Sequence, residues 1–74
     1  MTRSAAELAV GEIGRVARID GADEVGRRLL EMGVTPGVEI CRLGAAPLGD
    51  PLEFELRGYR LSLRKAEAAH VELE

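Results

Sequence analysis

The sequence predicts a small, mainly β domain, a partly open barrel of five short strands with one short α-helix inserted after the first strand. Three observations lead there. Residues 52–64 alternate apolar and polar side chains around a central Arg57-Gly58 step, the pattern of a β-hairpin. Residues 20–33 switch to apolar spacings of three and four, which is the period of an amphipathic helix. The chain has 74 residues and one cysteine, Cys41. It is too short for a second core and cannot form an internal disulfide, so rolling up a sheet is the remaining way to protect strand edges.

Taken in order, "LAVGEIGRVARI" places a strand from near Ile13, entered through a turn at Gly11. A bulge near Ala17 or Arg18 would bring both Val16 and Ile19 inward. In "DGADEVGRRLLEMG" the side chains of Val25, Leu29 and Met32 share one helix face, Asp20 or Asp23 can cap the start, and Gly33 suits a left-handed C′ position. Asp23 with Arg27 and Glu24 with Arg28 are spaced for i, i+4 ion pairs. Pro36-Gly37 has the form of a type II turn, after which "VEICRL" resumes as a strand with Val38 and Ile40 inward.

The hairpin register follows from a two-residue loop at Arg57-Gly58: Leu56 opposite Tyr59, Phe54 opposite Leu61 and Leu52 opposite Leu63 inside, with Glu55 facing Arg60 outside. A slip of one residue would put glutamates into the core. "KAEAA" reads as a helical turn and "HVELE" as a last strand with Val71 and Leu73 inward. Five strands this short leave no room for βαβ crossovers, which points to an SH3-like barrel forming a single domain over residues 1–74. Gly11, Gly14, Gly33, Gly37, Pro51 and Gly58 are assigned to its structural turns.

Several function classes fit poorly. With 13 acidic and 10 basic residues, net charge −3, the chain has no general attraction for nucleic acid or anionic lipid. No signal-peptide core or membrane-spanning run is present, so a cytoplasmic protein is expected. Neither a phosphate-binding glycine loop nor a nucleophile–histidine arrangement occurs, so no enzyme activity and no cofactor are expected. His70 and Glu72 lie on one strand face and together suit a first-row divalent ion, whereas Glu74 is about 13 Å from His70 along a strand and cannot join them. Arg57, Arg60, Arg64 and Lys65 interleave with Glu53, Glu55 and Glu67, which reads as a mixed solvated face.

The loops remain. "APLGDP", residues 46–51, packs two prolines, a glycine and an aspartate between two strands. Pro47 suits position i+1 of a type I turn and Gly49 position i+3. Turn geometry does not account for Leu48, which is expected to be exposed and available for contact. On the residues alone the loops read first as architecture; the alternative is a partner-binding surface that joins the helix end, Met32, Val34 and Pro36, to Pro47, Leu48, Gly49 and Asp50.

Residues 8–73, through "LAVGEIGRVARI", "RRLLEMGVTPGVEI" and "APLGDPLEFELRGYRLSLRKAEAAHVEL", resemble the FeoA family. The ordered combination of Met32-Gly33, Pro36-Gly37, residues 47–51, Gly58, Leu63-Arg64 and Glu67-Ala68 carries the resemblance. It implies an SH3-like barrel with an inserted helix, no catalytic residues, and an accessory role beside the GTP-dependent ferrous iron transporter FeoB on its cytoplasmic side. The competing expectation is a metal-responsive module using His70 and Glu72, like the C-terminal domain of iron-dependent repressors. A third is a homo-oligomeric contact domain.

Overall fold

The computed structural model describes residues 3–21 and 23–74. Alternation and turn chemistry yield six strands: β1 (Arg3–Ser4), β2 (Ile13–Ile19), β3 (Glu39–Ala45), β4 (Leu52–Leu56), β5 (Tyr59–Leu63) and β6 (Val71–Leu73). Two helices join them, α1 (Glu24–Glu31) and the single turn α2 (Lys65–Ala68). All pairs are antiparallel, in the order β1-β6-β2-β3-β4-β5. The barrel is not closed, since β1 and β5 are the two ends of the row.

β2 bends the sheet. Its first half pairs with β3, Ile13 opposite Cys41 and Arg15 opposite Glu39, while its second half pairs with β6, Val16 opposite Leu73 and Ile19 opposite Val71. The register shifts between Val16 and Arg18, at the expected bulge, and a second shift in β3 between Arg42 and Gly44 makes another corner. The side chains turned inward, among them Val16, Ile40, Leu52, Phe54, Leu63 and Val71, are fully buried, with Leu29 of α1 and Val34 completing the core. Burying each contributes about 1.5–3 kcal/mol before entropy is counted.

The hairpin has the predicted register in every pair, and Arg57 (φ 51°) with Gly58 (φ 83°) forms the two-residue left-handed turn. Asp23 is the helix cap, its Oδ1 accepting the Gly26 N–H at 3.4 Å. The helix ends in a Schellman motif: the Val34 N–H donates to the Leu29 carbonyl and the Gly33 N–H to that of Leu30, both at 3.0 Å, with Gly33 at φ 93°. Gly37 (φ 91°) follows Pro36 in the type II turn, closed by the Val38 N–H on the Thr35 carbonyl.

Some expectations are corrected. A sixth strand exists because residues 3–8 also belong to the domain: Ala5 and Leu8 are buried, and a 3₁₀ turn at Ala5–Glu7 carries β1 onto β6. Gly14 is inside β2 rather than in a turn, and the absence of a side chain there admits Leu73, whose Cδ1 is 2.8 Å from where a Cβ would sit. The i, i+4 ion pairs do not form on α1; Arg28 instead reaches Glu67 of α2 at 3.0 Å. Tyr59 is 42% exposed rather than inside, because it opens an end strand where the barrel gapes, and its phenol finds a partner by donating to the Met32 carbonyl.

A side chain at Gly33 would be left-handed and would run into the Tyr59 hydroxyl. Gly33→Ala is therefore expected to cost at least about 1–2 kcal/mol in urea unfolding. The cost should be smaller in a Tyr59→Phe background, where the obstructing oxygen is gone. Equal costs in both backgrounds would show that the contact contributes nothing.

β1 is fastened by a bidentate pair, Arg3 Nη1 and Nη2 each 2.9 Å from a Glu12 carboxylate oxygen. That guanidinium, and then the Ala9 N–H, hold the Glu12 carboxyl down at about 2 from an ordinary value of 4.5. A carboxyl whose folded value is depressed contributes stability that is fully present above its unfolded value and is lost as pH falls through the folded one. NMR titration should place the Glu12 midpoint near 2. Arg3→Ala should raise that midpoint, and its stability deficit against the wild type should shrink as pH falls from about 4.5 toward about 2.

Candidate functional site: the exposed 46–51 loop

The loop between β3 and β4 is built by three hydrogen bonds. Gly49 donates to the Ala46 carbonyl at 2.7 Å, closing the turn that Pro47 starts. Ala46 donates to the Pro51 carbonyl at 2.9 Å, and Asp50 Oδ1 accepts the Lys65 N–H at 2.9 Å, tying the loop to α2. The Asp50–Pro51 peptide is cis. At the tip stands Leu48, 96% exposed. A leucine held this far into water by a fixed turn is the largest apolar liability on the described surface.

The residues at the helix end are placed differently. Val34 is fully buried and belongs to the core, so its side chain has no surface to offer a partner. Met32 is half-buried against the core and Pro36 is exposed. The Met32 carbonyl is bound by Tyr59, the first residue of β5, whereas the 46–51 loop enters β4 at Leu52, opposite Leu63 at the far end of β5. Those anchor points are about 13 Å apart along the strand. The two segments are thus anchored at opposite ends of the hairpin.

His70 and Glu72 are engaged in packing. His70 Nδ1 is 3.0 Å from the Asp20 carbonyl oxygen, and a carbonyl only accepts, so this nitrogen carries the proton. The Asp20 N–H returns a bond to the His70 carbonyl at 2.6 Å, so the pair pins the start of the α1 connection to β6. Glu72 receives Arg18 Nε at 3.0 Å across the β2–β6 pair. Among the described residues no group of three or more His, Cys, Asp or Glu side chains is gathered to hold an ion. Cys41 is a free, half-buried thiol on the outer side of β3.

The basic residues sort in a way that spacing alone does not show. Arg3, Arg15, Arg18 and Arg28 pair with carboxylates, and Arg42 donates to the carbonyls of Leu8 and Gly44, both at 2.8 Å. Glu67 is taken by Arg28 and by the Arg64 N–H at 3.0 Å. Among the described residues, Arg57, Arg60, Arg64 and Lys65 have no carboxylate within 4.0 Å. Glu53 and Glu55 on the same hairpin are likewise outside these ion pairs. Lys65 and Arg64 also lie where the 46–51 loop is anchored.

Because Leu48 touches so little, Leu48→Asp should change unfolding free energy by no more than about 0.5 kcal/mol and leave the amide NMR spectrum folded. A larger loss would mean that the side chain supports the loop.

Comparison with known proteins follows this geometry. The model of the FeoA domain matches residues 4–74. The Fe(2+) transport protein A/Fe(2+) transporter FeoB fusion protein of Porphyromonas gingivalis is 37% identical over 68 residues, which is 92% of this chain and 8% of that protein. The chain thus spans a small part of that curated relative. The NMR structure of a FeoA-like protein from Clostridium acetobutylicum superposes with a TM-score of 0.91 at 38% identity, covering 99% of this chain and 85% of the other. The zinc complex of the FeoA of Stenotrophomonas maltophilia, an SH3-domain protein, superposes at 0.84 with 29% identity, covering 100% and 89%. An SH3-like fold of this topology and a family match over nearly the whole length lead to one conclusion: the chain belongs to the FeoA family.

Proposed function

We propose that this domain is a non-catalytic accessory of ferrous iron uptake that binds the transporter FeoB on its cytoplasmic side, with Pro47, Leu48 and Gly49 as the contact. The observation that carries this reading is the rigid presentation of Leu48, 96% exposed at the tip of a hydrogen-bonded turn. The relative in which FeoA and FeoB are one polypeptide supports the choice of partner, since fusion holds together what works together. Among the described residues no helix is long and apolar enough to cross a membrane, which agrees with a role beside a transporter rather than as its pore.

Burying a leucine side chain is worth about 1.5–3 kcal/mol, a factor of about 10 to 100 in a dissociation constant. Co-expression with full-length FeoB of the same organism, followed by purification in detergent, should recover the two together. Leu48→Asp should reduce the recovered domain at least about tenfold while the free domain stays folded. Undiminished recovery of the variant would rule out this loop as the contact.

A further inference from the structure

We infer that the FeoB segment covering Leu48 is acidic, and that Lys65 and Arg64 recognise it; this rests on the docking role just proposed for the loop. The ammonium of Lys65 lies 3.9 Å from the position a Cβ on Gly49 would take, beside the residue that follows Leu48. Lys65 and Arg64 are both exposed. Among the described residues neither has a carboxylate within 4.0 Å, although the chain carries 13 acidic residues against 10 basic. Two carboxylates bond the backbone of this segment without coming within 4.0 Å of either side-chain cation. Asp50 spends Oδ1 on the Lys65 backbone N–H. Glu67 is held by Arg28 and by the Arg64 backbone N–H.

The result is one apolar side chain on a turn that three hydrogen bonds hold still, with the Lys65 ammonium near that turn and the exposed Arg64 preceding Lys65 in the chain. Its complement is an apolar pocket rimmed by aspartate or glutamate. Opposite charges at the rim of a contact steer encounter and reject wrong partners, while the buried apolar anchor supplies most of the affinity. An anionic lipid surface fits less well. Stable attachment to a membrane needs more apolar insertion or a longer basic run than one leucine and two cations provide.

The test measures binding of the purified domain to full-length FeoB in detergent at low and high salt. Lys65→Glu, and Arg64→Glu with Lys65→Glu, are compared with Arg27→Glu, an exposed reversal on α1 outside the loop. Amide NMR spectra confirm that each variant is folded. Wild-type binding should weaken as salt rises, the double reversal should weaken it at least about tenfold at low salt, and Arg27→Glu should change it little. Wild-type binding that is insensitive both to salt and to the 64 and 65 reversals would overturn the acidic partner and leave the accessory role standing. Failure of the wild type to bind FeoB at all would overturn both. Sedimentation with phosphatidylglycerol vesicles, lost in the double reversal while FeoB binding is unchanged, would assign the cations to lipid and overturn the inference.

Discussion

β2 gives its first half to β3 and its second half to β6, and this change of partner, with the bulge that follows it at Ala17, is the constraint on which the rest of the structure depends. A strand shared between two directions of pairing must bend, and bending brings two faces of one short sheet together over Phe54. Gly14 lets the bend be tight, since Leu73 occupies the space its side chain would need. The barrel stays open between β1 and β5, and α1 adds Leu29 and the half-buried Val25 and Met32 to the core. A core this small uses nearly every inward position, and among the described residues the large apolar side chain left most exposed, Leu48, stands in a loop.

The two proline- and glycine-bearing loops differ in where they place their apolar residues. The 32–37 segment spends its apolar residues inward: Val34 fills the core, and the Schellman motif fixes the exit of α1 so that Pro36 can turn the chain into β3. The 46–51 loop makes the opposite use of similar residue types. Its prolines and glycine satisfy the backbone locally, leaving the single large side chain pointing outward. Rigidity at such a position lowers the entropy lost on association, which is why a fixed loop can serve recognition better than a mobile one.

Much of this was legible in the residues. The hairpin register could be read because each inner pair is apolar and a slip would bury glutamates, and the Ala17 bulge because Val16 and Ile19 break alternation. β1 was not legible: two residues carry no periodicity, and only the burial of Ala5 and Leu8 shows that the segment belongs. Nor was the opposite placement of Val34 and Leu48, two apolar residues in loops with proline and glycine neighbours, because inside and outside are decided by packing far along the chain. The free cations were hidden for the same reason. Glu67 follows Arg64 and Lys65 within three positions, yet its side chain answers to Arg28, a residue of another element.

The pairing of β1 with β6 sets Arg3 opposite Leu73, so the polypeptide leaves the domain almost where it entered. Two ends that emerge together let the unit hang from a larger chain like a pendant, by either end, without rearranging anything between them.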